Sequence, residues 1–413
     1  MSIKHTKKST LVFLLIILCV FLIGYIVIVY TGSWGHDLEY NANAIVAEEN
    51  NLLPENNVTE ASENISGKTA VINEENEIIV THINTPEPVK ALYMSAWVAG
   101  SKDFRSSLVK IIDETELNAV VIDIKDSTGR ISFAINDPEI IEYGSVENRI
   151  NGIKSTIDTL HSKNIYIIGR ISVFQDPYMT KIKPEWAIKK MSDGGVWKDK
   201  KGLSFLDPTK KEAHDYILKI AKKSYEMGFD EINLDYIRYP SDGNMKDINY
   251  NLKEGETRAD NMETFFKYIS SELKKEINIP LSADLFGLTT EAIDDMGIGQ
   301  VWEKTLPYFD YLAPMVYPSH YPTGYSNFTN PAVHPYEVID RSIKGAIVKT
   351  EAQGFNIAKI RPWLQDFDMG ATYTKELVRD QIKAVNDNKL NSWMLWDPSN
   401  KYTPAALIIE KNN

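Results

Sequence analysis

Cysteine is almost absent from this chain of 413 residues, in which Cys19 is the only one. A single thiol cannot form an internal disulfide, so the fold must be held together by its own core. The seven histidines are scattered, and no HxH or HExxH pair occurs among them. A GxSxG segment is absent as well. These absences weigh against zinc-dependent and serine-dependent chemistry, and we expect neither a metal ion nor a cofactor.

The chain also lacks an excess of positive charge. Its formal net charge is −12. Ten of these negative charges arise in residues 31–89, where eleven acidic residues accompany one lysine. The rest of the chain carries no positive excess that would offset them. Because proteins that bind phosphate backbones present basic patches, we expect no nucleic-acid partner.

One stretch of the sequence is apolar enough to cross a membrane. Residues 11–30 contain no charged side chain and one glycine, and about 20 such residues span the hydrocarbon core of a bilayer. Lysines precede the stretch and acidic residues follow it. The positive-inside rule therefore predicts a cytoplasmic tail at residues 1–10 and an exterior location after the transmembrane anchor. Cleavage of the stretch as a signal peptide, which would give a secreted protein, is the alternative.

Residues 31–89 are rich in Asn and Glu and contain few aromatic side chains. Such a composition buries too little apolar surface to offset the entropy that is lost on ordering the chain. We therefore predict a disordered acidic linker at residues 31–89, followed by a folded domain at residues 90–413.

In the folded domain, short apolar runs typical of strands alternate with stretches of helical periodicity. The predicted strands are residues 91–98, 119–125, 166–174, 231–236, 281–285, 311–317, 360–364 and 392–396. The clearest predicted helices are residues 155–163, 210–227, 261–275, 335–349 and 374–388. Eight such repeats predict an α/β fold, a (β/α)8 TIM barrel. An open doubly wound sheet is the alternative, although no glycine-rich phosphate loop follows the first strand.

A long insertion, residues 175–208, follows the third predicted strand. Connections of this length in a compact domain are usually functional. A packing extension without a functional role is the alternative interpretation.

Barrel enzymes carry their chemistry at the carboxyl ends of the strands, and several predicted strands here end in acidic residues. The most informative segment is FDEINLDYIRYP, residues 229–240, which delivers Asp235. Hydrolysis of a glycosidic bond needs one carboxyl group as proton donor and another as nucleophile or base. Asp235 is the predicted nucleophile or base, and Asp284 on the next strand is the predicted acid. Asp126, after the second strand, is a third catalytic candidate.

Other side chains at the strand ends are predicted to bind a sugar, because aromatic rings can stack on it and polar groups can bond its hydroxyls. These predicted substrate-binding residues are Trp97, Arg170, Arg238, Tyr239, Tyr317, His320, Gln365, Asp366, Trp396 and Asp397. Asp366 and Asp397 are also rivals for the second carboxylate. In a purely structural interpretation, Asp123 pairs with Lys125 inside the barrel. Asp235 then pairs with Arg238, and the tryptophans are core rings.

The sequence resembles the putative glycosyl hydrolase domain family, formerly catalogued as a domain of unknown function. The resemblance rests on ALYMSAWVAGS at 91–101, NAVVIDIKDSTGRISF at 118–133, PEWA at 184–187, LDPT at 206–209, FDEINLDYIRYP at 229–240, LSADLFG at 281–287, APMVYPSHY at 313–321 and LWDPSN at 395–400. It runs from about residue 90 to the C-terminus. The resemblance implies a barrel fold and a hydrolase that acts on carbohydrate, without indicating which one.

The fourth strand departs from the pattern of chitinase-like barrels, which carry DxxDxDxE there. Asp230, Asn233, Asp235 and Ile237 stand at the corresponding positions. Since the terminal acid of that motif is missing, Asp235 would have to act with a carboxylate from another strand.

The sequence thus predicts a membrane-anchored, extracytoplasmic glycoside hydrolase that needs no cofactor. Its expected partner is a cell-wall or extracellular polysaccharide, or a peptidoglycan-like glycan. A non-catalytic glycan-binding or wall-scaffolding barrel is the first alternative. A metal-dependent polysaccharide deacetylase is the second.

Overall fold

The computed structural model describes residues 80–276 and 278–409. The predicted cytoplasmic tail, the predicted anchor at residues 11–30 and most of the predicted linker lie outside these residues. Within the described part, no helix is long and apolar enough to cross a membrane.

A closed barrel of eight parallel strands forms the centre of the domain. The strands are β1 (Lys90–Met94), β2 (Ala119–Lys125), β3 (Tyr166–Ser172), β4 (Glu231–Asp235), β5 (Leu281–Phe286), β6 (Tyr311–Met315), β7 (Trp363–Gln365) and β8 (Trp393–Trp396). They pair in chain order, and β8 closes the barrel against β1. The predicted (β/α)8 barrel is therefore confirmed, and the open doubly wound sheet is wrong.

Helices surround the strands on the outside of the barrel. The longer ones in the described part are α1 (Lys102–Glu114), α2 (Ile153–His161), α3 (Lys211–Tyr225), α4 (Arg258–Glu276), α5 (Pro335–Ala352) and α6 (Lys375–Asp387). Short helices occur at Ala96–Gly100, Pro138–Tyr143, Met179–Ile182 and Trp302–Thr305. Five of the longer helices match predicted ones, and α1 is additional.

The burial of the strands explains why they read as continuous apolar runs. Every residue of β2 and of β3 is buried, as expected for parallel strands that are covered on both faces. Side chains two residues apart share a face of the strand. Polar residues at alternate positions, such as Asn233 and Asp235 of β4, therefore project together into the barrel.

The first strand is shorter than predicted. It ends at Met94, and Ser95 begins the short helix Ala96–Gly100 by accepting a bond from the backbone N–H of Val98. Serine is a favoured residue at this position because its hydroxyl satisfies a free N–H group of the first helical turn. Trp97 consequently lies on a helix above the barrel, and its predicted place on a strand face is wrong.

The insertion after β3 packs against the loop that follows β4. Its two-residue strand Lys189–Lys190 pairs in antiparallel fashion with Ile248–Asn249. Trp197 is buried, and its indole Nε1 donates to the carbonyl of Asn244 at 3.0 Å. The loops that follow β3 and β4 therefore support each other at the carboxyl ends of these two strands.

Residues 80–89, which the sequence assigns to the linker, contact the amino end of the barrel. The backbone N–H of Ile83 donates to Asp230 Oδ1 at 2.7 Å, and Thr85 shares a hydrogen bond of 2.9 Å with Tyr166. Burial alone would raise the pKa of Asp230, but its bonds to His161, to His82 and to two backbone N–H groups lower it overall. The folded part of the chain therefore begins before the predicted boundary at residue 90.

Replacing Asp230 with alanine tests this attachment. The substitution removes the acceptor of two backbone N–H groups, of Ile83 and Ile167, and of the ring of His161. We expect the free energy of unfolding to fall by about 2–5 kcal/mol, because buried donors lose their partner. A urea titration followed by circular dichroism measures it. Asp158→Ala, at an exposed acid on α2, should change the value by less than about 0.5 kcal/mol. Equal stability of the two variants would contradict the attachment.

Candidate active site

One buried arginine organises the carboxyl end of the barrel. Arg170, which is 0% exposed, projects from β3 between the neighbouring strands. Its Nη1 donates to Asp123 Oδ1 of β2 at 2.8 Å. Its Nε and Nη2 donate to Asp235 Oδ2 of β4 at 3.1 and 2.6 Å. The predicted residues Arg170 and Asp235 are thus brought together, and they connect three strands.

This arrangement revises the structural ion pairs considered from the sequence. Asp123 pairs with Arg170, whereas Lys125 pairs with Asp176 at 2.9 Å. The guanidinium of Arg238 lies 5.0 Å from the ring centre of Tyr236 and 4.7 Å from that of Phe286. It also donates to the carbonyl of Tyr239 at 3.2 Å. Arg170 is therefore the arginine that bridges Asp235.

Asp235 keeps both carboxylate oxygens engaged. While Oδ2 accepts from Arg170, Oδ1 accepts the backbone N–H of Tyr236 at 2.6 Å. Tyr236 has a left-handed backbone conformation with φ of 51°, which is uncommon for a residue other than glycine. The side chain of Asp235 remains 7% exposed. Asp235 is thus a fixed, charge-paired carboxylate at the end of β4.

Asp284 lies on β5 beside Asp235. The two strands pair with Leu234 opposite Ala283, so the next residues along each strand, Asp235 and Asp284, are neighbours. Asp284 is 1% exposed, and its Oδ1 accepts from Asn233 Nδ2 at 2.9 Å and from Trp363 Nε1 at 2.8 Å. Burial foremost, and then the charge of Asp235, raise the pKa of Asp284 to about 8. This carboxyl group therefore keeps its proton at neutral pH.

Two aromatic rings complete the buried part of the site. Tyr93 stacks on Trp396 with ring centres 4.0 Å apart, and Arg170 lies 5.1 Å from the ring centre of Trp396. The hydroxyl of Tyr93 donates to Asp123 Oδ2 at 2.6 Å. Burial raises the pKa of Asp123 although Arg170 and Tyr93 act against it. Trp396 is 3% exposed, so it supports Arg170 from within the barrel.

A cavity of about 170 Å³ opens next to this cluster. Trp97, Asp123, Asp126, Arg149 and Asn400 are among its lining residues. Trp97 is 38% exposed, with the Arg149 guanidinium 4.7 Å from the ring centre. Asp126 accepts from Arg149 and, at 2.5 Å, from the hydroxyl of Thr128. Since clefts for drug-sized ligands measure roughly 300–1,000 Å³, this cavity suits a small polar ligand.

Four of the predicted binding residues lie buried away from the cavity. Tyr239 is 0% exposed, and its hydroxyl donates to Asn261 at 2.8 Å. Tyr317 and His320 pack edge to face with ring centres 5.3 Å apart, and burial lowers the pKa of His320 to about 3. The amide of Gln365 joins two backbone segments. None of these four side chains is among the cavity-lining residues.

Asp366 and Asp397 are held by local donors. Asp366 accepts the backbone N–H and the hydroxyl of Thr403 at 2.9 and 2.7 Å, and burial raises its pKa to about 7. Asp397 accepts the N–H and the hydroxyl of Ser399, each at 2.6 Å. Both carboxyls therefore stabilise the loop after β8, and neither is among the cavity-lining residues.

Several residues of the cluster are absent from the predicted site. Tyr93 and Asn233 face inward with the strand periodicity, so that signal could have found them. Trp363 joins the cluster through its indole N–H group, which an apolar strand pattern does not indicate. Arg149 lies outside every strand, and nothing in its local sequence indicates the cavity. In the described residues, no three or more His, Cys, Asp or Glu side chains are grouped so as to hold a metal ion.

The folded domain is similar to several solved structures. A hypothetical protein from Ruminiclostridium thermocellum is 35% identical over 47% of this chain and 96% of its own, with a TM-score of 0.43. The PgaB (BpsB) glycoside hydrolase domain from Bordetella bronchiseptica has 11% identity, covers 76% of this chain and 95% of its own, and gives 0.55. Alpha-L-fucosidase isoenzyme 2 from Paenibacillus thiaminolyticus has 13% identity, covers 77% and 47%, and gives 0.50. At identities of 11% and 13%, the likeness concerns the fold.

Among curated proteins, no sequence matches this chain. The model of the family described as "Putative glycosyl hydrolase domain" matches residues 91–402, most of the chain and nearly all of the described barrel. The resemblance found in the sequence is confirmed, and the chain belongs to the putative glycosyl hydrolase domain family, which classes it as a glycoside hydrolase.

Proposed function

We propose that the chain hydrolyses a glycosidic bond at the carboxyl end of its barrel, with Asp284 as the proton donor and Asp235 as the nucleophile or base. The observation that carries the proposal is the unequal environment of two neighbouring carboxyl groups. Asp235 is charge-paired with Arg170. Asp284 is buried, and its raised pKa keeps it neutral. Glycoside hydrolysis requires one carboxyl group in each of these two states.

Arg170 connects this pair to the cavity. It binds Asp123, which lines the cavity, and Asp235 through the same guanidinium. A sugar that contacts Asp123 in the cavity would therefore be linked to Asp235 through the side chain of Arg170. The half-exposed ring of Trp97 offers an apolar face on which the sugar can stack. Asp126, with its oxygens fixed by Arg149 and Thr128, is placed to bond hydroxyl groups of the substrate.

The proposed substrate is a polysaccharide outside the cell, reached by a barrel anchored through residues 11–30. Residues 80–89 contact the amino end of the barrel, and the cavity lies at the carboxyl ends of the strands. The apolar stretch at residues 11–30, with lysines before it and acidic residues after it, supports a barrel outside the cell and thus a cell-wall or extracellular polysaccharide as the substrate.

Asp235→Asn keeps the size of the side chain and removes its charge. We expect the rate of product release to fall by about 10²–10⁴-fold, the usual contribution of a catalytic carboxylate. Residues 80–413 are offered a panel of wall polysaccharides, and newly formed reducing ends are counted. Asp158→Asn, the same change at an exposed acid on α2, is the control and should keep the rate. Tight binding by both variants and by the unchanged chain, with no product from any, would instead favour a glycan-binding barrel.

The pH dependence of the rate tests the role of Asp284. A proton donor works only while it is protonated, so the rate should be highest below the pKa of Asp284 and fall as the pH rises through about 8. Asp284→Asn should lose most of the activity and, with it, this decline. Initial rates between pH 5 and 10, with an unfolding scan at each pH to exclude denaturation, measure both. A rate that stays level to pH 10 would contradict the assignment.

A further inference from the structure

A chain of hydrogen bonds runs through the closed interior of the barrel to Asp284. It begins at an ion pair between Glu231 of β4 and Arg361, which precedes β7, and both side chains are 0% exposed. Glu231 Oε1 also accepts the hydroxyl of Ser282 at 2.6 Å. Ser282 Oγ in turn lies 3.0 Å from Asn233 Nδ2. Asn233 then reaches Asp284.

The hydrogen bonds of this series can point in only one direction. A hydroxyl carries a single proton, and Ser282 gives its proton to Glu231, so Ser282 Oγ must accept from Asn233. That requirement turns the amino group of Asn233, not its carbonyl, toward Ser282. The second N–H of the same amino group lies on Asp284 Oδ1 at 2.9 Å. In the described structure the carbonyl oxygen of Asn233 is buried and has no hydrogen-bond partner. No bond of that oxygen therefore favours the opposite orientation of the amide.

A second donor acts on the same oxygen. The indole Nε1 of Trp363 can only donate, and it lies 2.8 Å from Asp284 Oδ1. An oxygen that accepts two N–H groups is a poor place for the proton of a neutral carboxyl. The proton of Asp284 is therefore expected on Oδ2.

We propose that Asn233 and Trp363 are positioning residues that confine the proton of Asp284 to Oδ2 and hold that oxygen ready to donate to the leaving group. This assignment rests on the function proposed above. Ser282 and the Glu231–Arg361 ion pair, which lie toward the amino end of the barrel, fix the orientation of the amide of Asn233. The catalytic acid is thus oriented by a polar column that begins at the opposite end of the barrel.

The charged groups around Asp284 come from β3, from β4 and from the residue that precedes β7. Asp235 of β4 and Arg170 of β3 lie toward the cavity and act on Asp284 with opposite sign. Glu231 of β4 and Arg361 before β7 lie toward the amino end. On its other side β5 pairs with β6, which places Ala313 opposite Asp284. A substitution that removes an N–H group from Oδ1 leaves all these charges in place, so the effect of the N–H group on the pKa of Asp284 can be measured separately.

Trp363→Phe tests the proposal because it keeps an aromatic ring and removes the N–H group. Hydrogen bonds to a carboxylate favour its charged form, so their loss should raise the pKa of Asp284. We expect the decline of the rate at high pH to move upward by roughly one pH unit. Trp393→Phe on β8 is the matched control, since the buried indole N–H of Trp393 has no hydrogen-bond partner in the described structure. It should leave the decline where it is.

A readout without substrate separates this proposal from the proposed function. Infrared difference spectra across the pH range show the band of a neutral carboxylic acid, and its absence in Asp284→Asn assigns it. The titration midpoint of that band should rise in Trp363→Phe. An unmoved midpoint would overturn the positioning role and leave the catalytic assignment standing. Full activity of Asp284→Asn would overturn the proposed function, whereas absence of the band in the unchanged chain would overturn the positioning role.

Ser282→Ala provides a second variant should Trp363→Phe fail to fold. It removes the acceptor that fixes the amide of Asn233, while Asp284 and Trp363 keep their bond. The amide can then turn its carbonyl toward Asp284, which disfavours the charged carboxylate. We expect the midpoint of the Asp284 band to rise in this variant as well. A midpoint equal to that of the unchanged chain would show that the column does not orient the acid.

Discussion

The fork of hydrogen bonds from Arg170 to Asp123 and Asp235 is the interaction on which the carboxyl end of the barrel depends. The guanidinium is fully buried, and taking it out of water costs several kcal/mol unless its donors are satisfied. Two carboxylates on either side and the ring of Trp396 offset that cost. A lysine could not replace it, because a single ammonium lacks the planar fork that reaches both strands.

The same arrangement explains why a neutral acid occurs here. One guanidinium faces three buried carboxyl groups, Asp123, Asp235 and Asp284, and like charges at short range in a poorly solvated interior oppose full ionisation. Burial raises the pKa of Asp123 despite its bonds to Arg170 and Tyr93. Burial and the charge of Asp235 raise the pKa of Asp284. The cluster thus retains a proton at neutral pH, and Asp284, whose pKa is raised to about 8, is the group that holds it.

The sequence predicts the barrel well because its signal is local. Buried parallel strands produce apolar runs, and their spacing repeats along the chain. The site is predicted only in part, since its bonds join residues that are far apart in sequence. Asp235 and Asp284 can be predicted because each lies at or near the end of a predicted strand. The bond from the N–H of Trp363 to Asp284, in contrast, joins β7 to β5, and β6 lies between these two strands in the barrel. Trp97 is misplaced because a single serine, Ser95, starts a helix where the apolar pattern continues.

The candidate site accounts for the buried polar residues of the barrel interior better than the stability of the fold does. Buried ion pairs can often be replaced by apolar side chains without loss of stability, so Glu231 and Arg361 are not required for a packed core. Their bonds nonetheless continue through Ser282 and Asn233 without a gap. The column ends on one oxygen of Asp284. Polar residues that break the rules of core packing are expected where function outweighs stability. Here these residues lead to Asp284, the carboxyl group that the proposed hydrolysis would use as its proton donor.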